Sequence, residues 1–119
     1  MQQRKITPKN IESDNWWQQF DHDKLDKYLL THNWIKIEIP QEKRIWWLYQ
    51  NSSHYLGHSR TAYNLPCELL NYDYQRLIAI TKKENKHFSD YKKYMKESLQ
   101  DIADITGNWL IDILEESQK

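Results

Sequence analysis

Residues 34–50 read WIKIEIPQEKRIWWLYQ and decide the fold. Isoleucine alternates with charged residues from Ile35 to Ile39, which predicts a half-buried strand with its isoleucines facing the core and Lys36 and Glu38 facing solvent. Pro40 ends this strand. The second half, Arg44–Gln50, is apolar on both faces, which predicts a central strand or one with a covered outer face. Together the two segments predict an antiparallel hairpin.

Adjacent tryptophans occur twice, once within this stretch and once before it. Neighbouring side chains point to opposite faces of a strand and diverge by about 100° on a helix, so neither pair fits wholly inside a one-sided core. We therefore expect at least one ring of each pair to reach an edge, a groove or a partner. For the first pair, an N-terminal plug over the core is the favoured interpretation, and an aromatic face on one helical turn is the alternative. The predicted partner-binding residues are Trp16, Trp17, Trp46, Trp47 and Tyr49.

The residues before the hairpin predict one helix, which Asp21 or Asp23 can cap and which runs to about Thr31. Asn33 suits the left-handed conformation that closes such a helix. Residues 1–14 are polar and carry no clear period, which predicts a flexible arm.

After the hairpin, Thr61–Leu65 is expected to form the third strand. Tyr74, Leu77 and Ile78 then follow helical spacing, which predicts a long helix from Asn71 or Asp73 that ends near Lys83. Two more helices are expected, one before Gly107 and one after it. In the last helix Trp109 lies on an apolar face, which predicts a core position.

The order helix, strand, strand, strand, helix, helix, helix indicates the α+β class. We expect a small three-stranded antiparallel sheet with an N-terminal helix and C-terminal helices packed on one face. Residues 1–119 are expected to form one domain, with the arm in 1–14, the helix and sheet in 15–70 and a helical region in 71–119.

Composition narrows the class of protein. Lys plus Arg equals Asp plus Glu at 17 each, so a globally basic nucleic-acid binder is not favoured. The single cysteine, Cys67, excludes an intramolecular disulfide framework and is expected to be a small buried hydrophobe. The polar N-terminus and the lack of a long apolar run predict a cytoplasmic protein without a membrane segment.

Motifs that would indicate catalysis do not occur in the sequence. There is no Gly-rich phosphate loop, no nucleophile motif and no paired-cysteine metal motif, so we expect no enzymatic activity, no cofactor and no bound metal. His54 and His58 have the spacing of a metal-binding pair on a helix, but they lie in a Ser/Gly-rich stretch that favours a loop. A metal-dependent hydrolase at these histidines is therefore not favoured.

A second candidate surface is basic. Lysines cluster near the end of the predicted helix over 71–83 and at the start of the next helix, where they alternate with Tyr91 and Tyr94. Ammonium groups among aromatic rings suit phosphate contact and base stacking, although lysines at a helix C-terminus also complement the helix dipole. The candidate nucleic-acid contacts are Arg44, Arg60, Lys82, Lys83, Lys86, Lys92, Lys93 and Lys96.

One segment resembles a known family. Tyr28–Trp34, then two strands, then Leu65-Pro66 before a helix is similar to the order found in HicA-type mRNA-interferase toxins, over residues 24–80. The resemblance implies a double-stranded-RNA-binding-like fold of a helix, a three-stranded sheet and a helix. That family carries its catalytic histidine in a Gly-Ser-His step opening the second strand, whereas this chain reads Glu42-Lys43-Arg44 there. The resemblance thus implies an RNA- or protein-binding shape without nuclease activity.

These patterns favour a non-enzymatic protein-binding or regulatory module of a bacterium or phage, of the antitoxin, immunity, anti-defence or complex-subunit type. The expected partner is a protein, either a different protein or a second copy of this chain in a homo-oligomer. Nucleic-acid binding through aromatic sheet residues and the Lys-rich helical patch is the alternative.

Overall fold

The computed structural model describes residues 6–51 and 65–119. Short 3₁₀ helices cover Cys67–Leu69, Tyr74–Arg76 and Lys83–Asn85. None of the helices in the described ranges has the length and apolar character needed to cross a membrane. The main elements are the helices α1 (Pro8–Glu12), α2 (Asp14–Gln18) and α3 (His22–Thr31), the strands β1 (Trp34–Ile37), β2 (Arg44–Tyr49) and β3 (Leu77–Thr81), and the helices α4 (Tyr91–Thr106) and α5 (Leu110–Ser117).

The three strands form one antiparallel sheet in the order β1-β2-β3, which confirms the predicted α+β class and the β1–β2 hairpin. β2 is central, with Trp47 opposite Lys36 on one side and opposite Ile78 on the other. A central strand covered on both faces must be apolar on both faces, which accounts for the composition of β2.

Each face of the sheet has its own hydrophobic core. On the helix side, Trp47 and Ile78 pack with residues of α2 to α5. On the opposite side, Trp46 and Leu77 pack with Ile39 and with Leu69 of the first 3₁₀ helix. The sheet is therefore covered on both faces, and the second core covers the face that would be open to solvent in a sheet packed on one side only.

Two residues of β1, Ile35 and Lys36, depart from the expected orientation. Lys36 lies on the helix side, where its Nζ is 3.0 Å from Oδ2 of Asp26. Ile35 lies opposite Leu48 on the other face and is 39 % exposed. The expectation of inward isoleucines and outward Lys36 is therefore wrong for these two residues, because Asp26 neutralises the ammonium group beneath α3.

The long helix predicted from Asn71 or Asp73 is also wrong. Leu77–Thr81 forms β3, and all five of its residues are buried. An apolar run enclosed on both faces contains helical spacings by chance, so the period alone could not separate the two structures. The third strand therefore lies within residues 71–119, a stretch predicted to be helical. Of the strand predicted at Thr61–Leu65, residues 61–64 lie outside the described residues, and Leu65 belongs to no strand.

The N-terminal segment is packed where it is described. Pro8–Glu12 forms α1, Ile11 is buried, and the indole Nε1 of Trp17 donates a hydrogen bond of 2.7 Å to the carbonyl of Ile11. The flexible-arm prediction is wrong for these residues, while residues 1–5 lie outside the described part.

Several local predictions are confirmed. The side chain of Asp21 accepts a hydrogen bond from the backbone N–H of Lys24 and so caps α3. Asn33 adopts φ 71° at the end of α3, and Gly107 adopts φ 73° at the end of α4. Cys67 contradicts its prediction, because it is exposed rather than buried.

Candidate functional site

The sheet tryptophans do not form a surface. Trp46 and Trp47 are both 0 % exposed, one in each core, so strand alternation sends their rings to opposite faces and both faces are covered. Trp17 and Tyr49 are also buried. The expectation that one ring of each pair reaches the surface is wrong for Trp46-Trp47 and holds for the half-buried Trp16. Four of the five predicted partner-binding side chains are thus core residues in the isolated chain.

Trp109, in contrast, is exposed. The sequence predicts a core position for it, but its side chain is 79 % exposed. Gly107 turns the chain out of α4 in a left-handed conformation, and Trp109 becomes the extended N-cap of α5 with φ −79° and ψ 140°. An N-cap residue lies outside the helical wheel, so its spacing to Ile113 no longer places it on the apolar stripe. The sequence signal for this was the Gly107-Asn108 pair directly before it.

Among the large apolar side chains in the described ranges, Trp109 is the most exposed. Indole rings are rarely left in solvent without a reason, and tryptophan is enriched among the residues that dominate protein interfaces. The other exposed large apolar side chains are Leu30, Ile35, Leu70, Tyr72 and Tyr94.

The chain around Trp109 is acidic. Residues 97–118 contain no lysine or arginine. Asp104 lies in the last turn of α4, and Asp112 lies in the first turn of α5, where its charge complements the helix dipole. We call Trp109, Asp104 and Asp112 the Trp109 corner. The acidic residues of the stretch are Glu97, Asp101, Asp104, Asp112, Glu115 and Glu116.

The predicted basic patch is largely matched by partners within the chain. The ammonium group of Lys96 lies 2.6 Å from Oε1 of Glu12, and that of Lys92 lies 3.2 Å from Oδ1 of Asp14. The hydrogen bond and charge of Lys96 lower the pKa of the Glu12 carboxyl. These acidic partners come from α1 and α2, about 80 residues earlier in the chain, so sequence spacing could not reveal them.

Lys86 has a structural role. Its Nζ donates hydrogen bonds of 2.8 Å to the backbone carbonyls of Gln18, the last residue of α2, and of Phe20. The side chain of Gln18 donates in turn to the carbonyl of Lys86. A cation at these carbonyls satisfies acceptors that the end of a helix leaves open. Lys86 therefore joins the N-terminal segment to the turn before α4.

The remaining candidates are scattered. The guanidinium carbon of Arg44 lies 5.1 Å from the ring centroid of Trp46, and Nζ of Lys83 lies 3.5 Å from Oδ1 of Asp23. Lys82 is half-buried, and Lys93 is exposed. Arg60, His54 and His58 lie outside the described residues. The structure does not gather the basic residues that it describes into one open surface.

A pocket of about 320 Å³ lies between the start of α3 and the sheet. Its walls carry both signs of charge, and the principal pairs are Lys36 with Asp26 and Glu38, and Lys83 with Asp23. The lining residues are His22, Asp23, Asp26, Lys36, Glu38, Ile45, Trp47, Ile80, Thr81, Lys82, Lys83 and Glu84. Four carboxylates and three lysines line the pocket, so neither sign of charge strongly predominates in it.

His22 is one of the residues that line this pocket. Its Nε2 lies 2.6 Å from the hydroxyl oxygen of Tyr91, and both side chains are buried. Burial, followed by the charges of Lys86 and Lys83, lowers the pKa of His22 to about 4. Burial also raises the pKa of the Tyr91 hydroxyl. The pair is therefore neutral at neutral pH and fixes α3 against α4.

Over residues 6–51 and 65–119, no group of three or more His, Cys, Asp or Glu side chains is arranged to hold a metal ion. No protein-family model, curated protein or solved structure matches this chain.

Proposed function

We propose that this chain is a non-enzymatic protein-binding module, of the antitoxin, immunity, anti-defence or complex-subunit type, that docks its partner on the Trp109 corner. The 79 % exposure of Trp109 carries the proposal. An indole that contributes little to its own core retains most of its hydrophobic transfer free energy for a partner.

The charge of the corner defines the partner. Asp104 precedes Trp109 by five residues and Asp112 follows it by three, and residues 97–118 contain no lysine or arginine. A matching surface would offer an apolar pocket for the ring with lysine or arginine on its rim, because complementary potentials favour association and exclude other partners.

The alternative function, nucleic-acid binding, has weaker support. Phosphate contact needs cations that can release counterions, whereas Lys86, Lys92 and Lys96 are held by groups of the same chain. The acidic corner would repel a phosphate backbone. The aromatic sheet residues proposed for base stacking, Trp46 and Trp47, have no exposed surface.

Site-specific photocrosslinking tests the proposal. A benzophenone amino acid replaces Trp109 in one variant and Tyr94, which is 44 % exposed on α4, in a matched control. In extract of the source cells, we expect one protein of basic surface to crosslink at position 109 and not at 94. Excess unlabelled wild-type chain should abolish this product, whereas excess Trp109→Ser chain should leave it.

Equal labelling at the two positions, or competition by Trp109→Ser as strong as by the wild type, would contradict a role for the corner. A crosslinked product that disappears after nuclease treatment would favour the nucleic-acid alternative instead.

A further inference from the structure

Strand β1 is an edge of the sheet. Its neighbour on one side is β2, and no described strand pairs with its other side. The opposite edge strand, β3, is buried along its whole length, whereas Ile35 is 39 % exposed and Ile37 is half-buried. An edge with open backbone groups is a template for pairing with another strand.

The hydrogen bonds of the hairpin fix which groups of β1 are available. The N–H of Gln50 donates to the carbonyl of Asn33 over 2.7 Å, so these two residues form a narrow, hydrogen-bonded pair. Narrow and wide pairs alternate along an antiparallel ladder. The next narrow pairs therefore involve Ile35 and Ile37, so the N–H and C=O groups of Lys36 point away from β2. Glu38 directly follows β1, and its N–H and C=O groups take the same direction when the extended chain continues one residue past Ile37.

These outward groups suit a second copy of β1 in one register. An antiparallel pair with its two-fold axis at Ile37 places Lys36 opposite Glu38 of the second copy, and the reverse, as narrow pairs in which both hydrogen bonds form. The same register places Ile35 opposite Ile39. Opposite charges directly across a ladder are stabilising.

Competing registers are less favourable. An axis at Lys36 would place two lysines opposite each other, and like charges at that position are destabilising. In the favoured register Pro40, which has no N–H, lies opposite Trp34 and limits the ladder to the central segment. A lysine on an edge strand can also prevent pairing, but here Asp26 and Glu38 of the same chain already neutralise Lys36, and Glu38 of a second copy adds a further opposite charge.

We propose that β1 pairs with β1 of a second copy, in the register centred on Ile37, so that two sheets join into one six-stranded sheet. The interface is distinct from the Trp109 corner and does not depend on it. Because the ladder is short, the dimer forms reversibly and its population rises with concentration.

Sedimentation velocity over a wide concentration range tests the proposal, in reducing buffer because the Cys67 thiol is exposed. The wild-type mass should rise from 14.7 kDa towards twice that value. Glu38→Lys and Lys36→Glu should each remain monomeric, because each places like charges opposite one another. An equimolar mixture of the two variants should dimerise again, since every pair across the ladder is then complementary. Tyr94→Lys, on α4, is the matched control and should dimerise like the wild type.

Amide hydrogen exchange identifies the strand independently of charge. At high concentration the amides of Lys36 and Glu38 should exchange more slowly in the wild type than in Glu38→Lys, which retains the hairpin because Glu38 is exposed. If Lys36→Glu fails to fold, this comparison still decides the question.

A wild-type chain that stays monomeric at every concentration would overturn the proposal and leave the edge to solvent or to a different protein. A dimer that Glu38→Lys does not weaken, with no protection of these two amides, would overturn it by placing the contact elsewhere.

Discussion

The centre of the sheet and the Trp109 corner both hold indole rings, but the chain uses them in opposite ways. Trp46 and Trp47 are adjacent and 0 % exposed, whereas Trp109 stands alone at the start of a helix and is 79 % exposed. Adjacency on a strand sends two rings to opposite faces, so it indicates exposure only when one face is open. Here a second core closes that face. The comparison shows that the exposure of a tryptophan depends on the path of the backbone and not on whether a second tryptophan is adjacent to it.

The largest difference should come from deleting one ring in each region. Trp47→Ala should lower the free energy of unfolding by about 3–5 kcal/mol, because it removes a fully buried indole and leaves a cavity. Urea denaturation followed by circular dichroism measures this, with Trp109→Ala as the matched control. A loss below about 1 kcal/mol for Trp47→Ala would show that the sheet core can collapse around the missing ring.

The buried part of the molecule also contains a titratable side chain, that of His22. Its pKa is about 4 in the folded chain and 6.5 in an exposed one, so the unfolded chain binds the proton more readily. Stability from this group is complete above about pH 6.5 and is lost as pH falls towards 4, by about 3 kcal/mol in total.

Urea midpoints measured across this pH range check the prediction, with His22→Gln as the comparison because glutamine does not titrate. The variant should be less stable at neutral pH and should show a flatter pH dependence. An unchanged pH dependence in His22→Gln would assign the acid sensitivity to other groups.

A smaller effect on the free energy of unfolding is expected at the basic patch. This effect distinguishes a lysine with a structural role from a lysine that is free to bind a ligand. Lys86→Met should lower the free energy of unfolding by about 1–2 kcal/mol, because it removes the ammonium donor from two carbonyl groups while keeping an apolar stem. Thermal melting measures this, with the exposed Lys93→Met as control. Equal stability of the two variants would remove the structural role assigned to Lys86.

The smallest effect on stability is expected at the corner itself. Trp109→Ala should change the free energy of unfolding by no more than about 0.5 kcal/mol, as is usual for surface positions. The same variant should lose most of the acrylamide-quenchable tryptophan emission. A large loss of stability would show that Trp109 contributes to the fold, and the contrast between the two regions would disappear.

Much of the fold could be predicted from the sequence because the patterns that predict it involve residues close together in the chain. The alternation from Ile35 to Ile39, the cap at Asp21 and the left-handed residue at Asn33 each depend on neighbours within a few positions. The helix prediction over β3 is wrong because residues 77–80 are apolar at every position, and such a run has no single period.

The candidate site was less predictable because it depends on distant parts of the chain. Whether Trp46 and Trp47 are covered depends on both cores, and whether Lys96 is available depends on Glu12. The core prediction for Trp109 is wrong for a local reason, because Gly107 ends α4 and Trp109 becomes the N-cap of α5 instead of a residue on its apolar stripe.

The segregation of charge along α4 has a consequence for rates. Residues 97–118 hold six acidic residues and no lysine or arginine, whereas Lys83, Lys92 and Lys96 of the preceding stretch are paired with acidic residues of the same chain. An approaching cationic surface is therefore turned towards the acidic stretch before contact, although a chain of zero net charge does not attract it from far away. Added salt should therefore slow the encounter with a partner more than it hastens the escape, so that ionic strength acts chiefly on the association rate constant.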